Sequence, residues 1–270
     1  MPPYVRYSLR VNHRSTPAIV AVCEALIAPN RTDDKAMRPS PRWGAPAPAP
    51  AFDVFPVSVL LCHAAAQQES CALRCIQKWH ALGVPYASMA VLCRVKAAVE
   101  SFNNSIRGTD IVVRALKEKE EDRFSSGQGD VAPKQDALSV GTIHSAKGIE
   151  WDVVCIIDAL EAAQDIKARN DSNAALSADI KAKRWAEERR VVFVGLSRPR
   201  RALHITHPIR AGGRADVEPA QSEFLQDIQH SAGSHLVVVR SDALDSLPWP
   251  HNLASLDMGP YGEAEDDGPE

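Results

Sequence analysis

Short apolar segments alternate with segments of helical periodicity along most of this chain. Runs of apolar, often β-branched residues predict strands at 9–11, 54–62, 89–94, 111–116, 138–143, 153–157, 203–206 and 237–239. Apolar residues spaced three and four positions apart predict helices at 17–30, 67–82, 95–106 and 185–198. Strands that alternate with helices predict an α/β fold, a parallel sheet with helices on both faces.

The segment 137–160 joins two buried strands through a very short polar turn. The turn contains Thr142, His144, Lys147, Gly148 and Glu150. Hydroxyl, imidazole and ammonium groups can hold nucleic-acid phosphates. Glycine lets the backbone approach a ligand closely, and a carboxylate can accept hydrogen bonds from ribose hydroxyls. The pattern alone also fits an ordinary loop with a solvated, charged rim.

The sequence of this turn, TIHSAKGIEWD at 142–152, resembles motif V of UvrD/Rep-type superfamily 1 helicases. The usual form of that motif is T-[IV]-H-x-[AS]-K-G-L-E-[WF], and only Ile149 departs from it. The resemblance implies nucleic-acid contacts from Thr142, His144 and Lys147. It implies nucleotide contacts from Gly148 and Glu150.

The segment NHRS at 12–15, which precedes the first helix, resembles motif IV of the same family, N-[YF]-R-S. His13 stands where the family has an aromatic residue that stacks on adenine, so base stacking is expected to be weaker or different. Arg14 at a helix N-terminus suits a phosphate clamp and, by resemblance, an arginine finger. A surface salt bridge is the alternative role for Arg14.

The segment EERRVVFVGLSRP at 187–199 resembles motif VI, E-E-x-R-L-x-Y-V-[AG]-x-[TS]-R-A. Position by position, Arg190 falls on the second arginine finger of the family and Arg198 on the Arg of the T-R-A step. An ion pair with Glu187 on the same helix is the alternative role for Arg190. Pro199 replaces Ala and is expected to end the helix early. The segment 89–94 resembles an A-V-L-x-R strand of the family, and its Arg94 is a further candidate for nucleic-acid contact.

The resemblance covers about residues 7–230 and implies the second RecA-like domain of a superfamily 1A helicase. We therefore predict a motor domain at 1–240. The segment 117–135 is polar, bears Gly and Ser, and is too short for the large helical accessory domain of many relatives. The accessory helical insertion is thus expected to be missing, with a flexible loop in its place.

The phosphate-binding sequence G-x-x-x-x-G-K-[ST] is absent from the chain. In the family, the first RecA-like domain supplies this loop and the acids that bind Mg²⁺. The resemblance therefore implies half of an ATP-dependent 3′-to-5′ DNA helicase, inactive alone. Its expected ligands are ATP with Mg²⁺ and single-stranded DNA, and its expected partner is a first RecA-like domain in cis or in trans. The alternative is a non-catalytic nucleic-acid- or protein-binding module that retains the motor fold.

Composition adds charge and compartment to this picture. Eight acids and no Lys or Arg occur at 241–270, which predicts a disordered acidic tail. The rest of the chain is mildly basic, which permits nucleic-acid binding without demonstrating it.

No apolar run approaches the roughly 20 residues of a membrane span, and the first residues have no apolar signal core. With six cysteines mostly in apolar runs, we expect an intracellular protein, cytoplasmic or nuclear. We predict no metal site, with structural zinc at Cys71 and Cys75 as the alternative.

Overall fold

The computed structural model describes residues 10–31, 36–40, 55–64, 66–116, 136–160, 169–209 and 222–250. The loop predicted at 117–135 and most of the predicted tail, 251–270, lie outside these ranges. Their flexibility and disorder therefore stay predictions.

Seven parallel strands form the central sheet, in the order β5-β6-β4-β7-β8-β3-β9. Two further short strands, β1 and β2, pair with each other beside it. The strands are β1 Val11–Asn12, β2 Arg38–Pro39, β3 Val57–Cys62, β4 Met89–Cys93, β5 Val112–Ala115, β6 Ala137–Thr142, β7 Trp151–Ile157, β8 Pro199–Pro208 and β9 Leu236–Arg240.

Helices cover both faces of the sheet. They are α1 Pro17–Ile27, α2 Gln67–Ala81, α3 Lys96–Ser105, α4 Ala178–Leu196 and α5 Glu223–Ala232. Helices α1, α4 and α5 share one hydrophobic core with the sheet, while α2 and α3 share the other. Along β4, Ala90 and Leu92 face the first core, whereas Met89 and Val91 face the second. A strand buried on both faces must be apolar at every position, which explains the continuous apolar runs of the sequence.

The structure confirms the predicted α/β fold, a parallel sheet with helices on both faces. Two local predictions differ from it. Helix α4 begins at Ala178, where the Ser177 hydroxyl accepts a hydrogen bond from the Ile180 amide. Pro199 is the first residue of β8, and α4 has already ended at Leu196. Proline suits the first position of a strand because its missing N–H then removes no interior hydrogen bond of the sheet.

The boundary predicted at residue 240 also differs from the structure. Residues 241–250, which we call the C-terminal strap, pack against the α2 face of the sheet. Leu244 and Leu247 are buried there, and the Trp249 ring lies 5.7 Å from the Trp79 ring. The strap's Asp245 pairs with Arg74 and Lys78 of α2. Because three of its apolar side chains contribute to the second core, the strap belongs to the folded domain.

Candidate nucleotide and nucleic-acid interfaces

The motif V segment crosses the domain from one edge of the sheet to the other. Strands β6 and β7 flank β4 in parallel, with Thr142 level with Cys93 and Val153 level with Met89. The chain leaves β6 at the carboxyl edge and enters β7 at the opposite edge. At about 3.3 Å per residue, Thr142 and Glu150 are therefore roughly 20 Å apart along the strands. One short segment thus supplies residues to two separate surfaces.

Two glycines shape this segment. Gly148 has φ +84°, a conformation that other residues adopt only with strain. It turns the chain towards Glu150, and the space around it is open. Gly141, inside β6, lies in a crowded position. A Cβ atom there would come within 2.6 Å of Leu116 Cβ and 2.7 Å of Ser145 Oγ.

The loop after β1 presents Arg14 at the start of α1. The Asn12 side chain accepts hydrogen bonds from the backbone amides of Arg14 and Ser15, at 2.9 and 3.0 Å. The Ser15 hydroxyl in turn donates to the Pro199 carbonyl, at 2.9 Å. These contacts fix the backbone of Arg14 against the start of β8.

Residues of all three motifs meet around Arg14. Its guanidinium lies 2.5 Å from the Glu150 carboxylate and donates to the Ser197 carbonyl at 3.3 Å. Both side chains of the ion pair are about one third exposed, at 37% and 33%. Arg198 donates to the Ile149 carbonyl, and burial together with the nearby charge of Arg14 lowers the pKa of Arg198. Two guanidinium groups and one carboxylate suit a polyphosphate that carries a hydroxyl-bearing sugar.

Arg190 lies apart from this cluster in the chain as it stands. Its side chain is 56% exposed and pairs with Glu187 at 2.7 Å, the alternative that the sequence left open. Arg190 precedes Ser197 by seven residues, which corresponds to about 10 Å along a helix axis. Among the contacts of the described residues, the Arg190 guanidinium reaches neither Arg14 nor Glu150. The structure therefore brings one of the two predicted fingers, Arg14, close to Glu150 and Arg198, and leaves the other, Arg190, on the outer face of α4.

The nucleic-acid candidates lie at the carboxyl edge of the sheet. His144 and Lys147 are exposed on the turn after β6. Thr142 is buried, and its hydroxyl accepts a hydrogen bond from the Ser145 amide at 3.2 Å. His144 and Lys147 can thus reach a ligand directly, whereas Thr142 shapes the turn that presents them.

Arg94 differs from the prediction that it contacts nucleic acid. It follows β4, and both its Nε and Nη2 donate to the Glu188 carboxylate of α4, the latter at 2.8 Å. The side chains are only 16% and 6% exposed, and the hydrogen bonds to Glu188 raise the pKa of Arg94. A guanidinium engaged in this way holds α4 against the sheet and does not face solvent as a phosphate contact.

His13 is exposed on the loop that carries Arg14. Its Nδ1 is 3.0 Å from the Ser40 hydroxyl, which fixes the orientation of the ring. The His13 ring is therefore one residue before Arg14 in the sequence and is held by Ser40, the residue that follows β2.

Two residues that take part in these contacts, Arg198 and Glu188, were not selected as site residues from the sequence. Arg198 belongs to motif VI and could have been found by giving its T-R-A position the same weight as the finger position. Glu188 could have been found from its helical spacing, since it lies four residues before Val192 on the buried face of α4.

In the part of the chain that the structure describes, no group of three or more His, Cys, Asp or Glu side chains is arranged to hold a metal ion. No helix within the described ranges is long and apolar enough to cross a membrane.

Comparisons with known proteins bear on these motifs. Residues 115–208 match the UvrD-like helicase C-terminal domain family. No curated protein matches the chain. Among solved structures, the chain is similar to the C-terminal domain of a possible DNA helicase from Lactobacillus plantarum WCFS1, at 15% identity and TM-score 0.45 over 84% of this chain and 98% of that one. It is also similar to S. cerevisiae Dbp5 bound to RNA and ADP BeF3, at 12% identity and TM-score 0.38 over 79% of this chain and 48% of that one.

The matched residues 115–208 include the whole of motif V and motif VI. Over these residues the chain is therefore similar to the C-terminal domain of UvrD-like helicases.

Proposed function

We propose that this chain is the C-terminal motor domain of an ATP-dependent DNA helicase that moves 3′ to 5′. It binds the ATP phosphates and ribose from one edge of its sheet and single-stranded DNA from the other. The phosphate-binding loop and the Mg²⁺ ligands come from a first RecA-like domain, in cis or in trans. Without that domain the chain does not hydrolyse ATP.

The observation that supports this proposal is the meeting of Arg14, Glu150 and Arg198. They come from three segments far apart in sequence, and the fold places them on one partly exposed surface. Two permanent positive charges that surround one carboxylate leave a net positive site. Such a site favours a polyphosphate over a neutral ligand.

Each of these groups has a distinct role in the proposed complex. Arg14 moves from Glu150 to the terminal phosphate and stabilises the negative charge that develops there during hydrolysis. Glu150, once released, accepts hydrogen bonds from the ribose hydroxyls. Arg190 reaches the same phosphate only when the first domain docks, because in the isolated chain its guanidinium pairs with Glu187.

The DNA surface is proposed from the exposed His144 and Lys147 at the opposite edge. These groups contact phosphates, so binding is independent of sequence and weakens as salt rises. Motif V connects the two surfaces directly. A shift of Glu150 on nucleotide binding can therefore be transmitted to His144 through a few residues of backbone.

The proposal is tested by supplying the missing half. The chain alone should show no ATPase above background with single-stranded DNA. Joined to a first RecA-like domain of a UvrD-type helicase, it should gain DNA-stimulated ATPase. Arg14→Ala and Arg190→Ala should each lower that activity by about 10³-fold, as removal of an arginine finger does elsewhere. Lys183→Ala, on the exposed start of α4, is the matched control and should leave it unchanged.

A second candidate function is a non-catalytic binding module, supported by the lack of a G-x-x-x-x-G-K-[ST] sequence in the chain. It predicts salt-dependent DNA binding by the chain alone, with no gain of ATPase on addition of the first domain. Robust ATP turnover by the isolated chain would contradict both candidates.

A further inference from the structure

Five of the six cysteines lie on the α2 face of the sheet, in the second hydrophobic core. Two of them form a close pair. Cys62 is the last residue of β3, and Cys71 lies in the first half of α2. Their sulfur atoms are 3.7 Å apart, and the Cys62 thiol donates to the Cys71 sulfur. A disulfide bond requires about 2.05 Å between sulfurs, so bond formation needs a movement of less than about 2 Å.

The two sulfurs differ in chemical character. The hydrogen bond from Cys62 lowers the pKa of Cys71 to about 7, and the Ser241 hydroxyl and the Arg74 guanidinium act in the same direction against the effect of burial. The same hydrogen bond, together with burial, raises the pKa of Cys62. Cys71 is thus the nucleophile of the pair, since the thiolate is the reactive form.

Three other cysteines, Cys23, Cys75 and Cys93, have the opposite character. Burial raises the pKa of Cys23 to about 12 and also raises that of Cys93 and of Cys75. Thiols of this kind are inert towards oxidants. The chain therefore carries internal controls for any chemistry at Cys71.

We propose that Cys62 and Cys71 are a peroxide-sensitive thiol pair that converts to an intramolecular disulfide. The Cys71 thiolate attacks one oxygen of hydrogen peroxide, the O–O bond breaks, and Cys71 becomes a sulfenic acid while hydroxide leaves. The Cys62 sulfur then attacks the Cys71 sulfur. The sulfenic hydroxyl leaves as water with the Cys62 proton, and the first hydroxide takes the proton that Cys71 had lost. Two thiols are oxidised by two electrons, and one peroxide is reduced to two waters.

The C-terminal strap covers this pair. Ser241 hydrogen-bonds Cys71, and Leu244 is buried in the same core as both sulfurs. Cys71 is only 3% exposed, so oxidation requires the strap to open locally. The ion pairs of Asp245 with Arg74 and Lys78 are exposed and add little to the attachment of the strap, so its local opening costs mainly the burial of Leu244 and Leu247. The pair thus reacts with peroxide in the folded domain without global unfolding.

The test is peptide mapping of the full, reduced chain after a brief treatment with one equivalent of hydrogen peroxide. Remaining thiols are alkylated under denaturing conditions, and the chain is cut by a protease specific for Glu. Glu69 lies between the two cysteines, so a disulfide appears as a cross-link between peptides 25–69 and 70–100, lighter by about 2 Da than the same two peptides with only Cys62 and Cys71 reduced. Peptide 70–100 also carries Cys75 and Cys93, so fragmentation of the cross-linked product identifies Cys71 as the bonded residue. We expect this product to dominate, while Cys23, Cys75 and Cys93 remain alkylated.

Single substitutions assign the roles. In Cys62→Ser, dimedone should capture a sulfenic acid on Cys71, and in Cys71→Ser it should capture none on Cys62. Mapping of the unmodified chain decides the proposal even if a variant fails to fold. Full alkylation of both Cys62 and Cys71 after peroxide would overturn it. Oxidation of Cys23 or Cys93 at an equal rate would also overturn it, because the reaction would then report unfolding.

Discussion

The Arg14 guanidinium and the Glu150 carboxylate form an ion pair of 2.5 Å that joins the loop before α1 to the turn before β7. Each is a predicted nucleotide ligand, and each is the other's ion-pair partner. An incoming phosphate must therefore compete with Glu150 for Arg14. This relationship sets the first expected outcome.

Glu150→Gln should strengthen binding of inorganic tripolyphosphate by up to about fivefold, because an ion pair that is one third exposed is worth at most about 1 kcal/mol. Arg14→Ala should abolish the same binding. Isothermal titration at low salt measures both. Equal tripolyphosphate affinity in the unmodified chain and in Glu150→Gln would show that the carboxylate does not compete. Failure of the unmodified chain and of Glu150→Gln to bind would argue against the phosphate site itself.

Arg94→Ala should lower the free energy of unfolding by about 3–5 kcal/mol, since it leaves the buried Glu188 carboxylate without its partner. Arg190→Ala, on the same helix as Glu188, is the control. Its exposed pair with Glu187 should contribute less than about 0.5 kcal/mol. Urea denaturation followed by circular dichroism separates the two. A loss as large for Arg190→Ala as for Arg94→Ala would make Arg190 a structural residue and reject its role as a finger.

Gly141→Ala should destabilise the domain by about 1–3 kcal/mol, because the new Cβ would overlap the Leu116 and Ser145 side chains. The substitution also displaces Ser145, which shapes the turn of motif V. Thermal unfolding measures the effect. Gly108→Ala is a useful comparison, since space around Gly108 is open and any loss there reflects only its φ of +87°. A melting temperature for Gly141→Ala equal to that of the unmodified chain would contradict the packing around β6.

Lys147→Ala should weaken binding of single-stranded DNA and reduce the slope of log affinity against log salt by about 1. The reason is that one phosphate contact is lost while the fold is untouched, as Lys147 is exposed. Fluorescence anisotropy at several salt concentrations measures both quantities. Lys183→Ala, paired with Asp179 on the exposed start of α4, serves as the control and should bind like the unmodified chain. Identical curves for all three proteins would remove Lys147 from the interface.

A chain that ends at residue 240 should be less stable by several kcal/mol than a chain that ends at residue 250. The shorter chain loses the buried Leu244 and Leu247, and removing one buried Leu side chain typically costs about 2–5 kcal/mol. Chemical denaturation of the two truncated chains makes the comparison. Equal stability of the two would show that the C-terminal strap does not contribute to the core.

The amino-acid sequence by itself determined the fold class and the position of most elements. A strand buried on both faces leaves a continuous apolar run, as at Met89–Cys93, and that signal is local. The signal for the start of α1 was also local, because Pro17 fits only the first turn of a helix. The candidate residues of motif V could be chosen for the same reason, since their side-chain chemistry and spacing lie within one short turn.

Only the tertiary structure decided which charged side chains are exposed and which are held in buried ion pairs. Arg94 and Arg190 look alike in the sequence, yet Arg94 is held by Glu188, while Arg190 extends into solvent beside Glu187. Charge pairing depends on the distance between side chains from separate elements, which no local pattern encodes. The strap at 241–250 escaped prediction for a related reason. Its acids and prolines signal disorder, but a few apolar side chains suffice to dock it once a complementary surface on α2 exists.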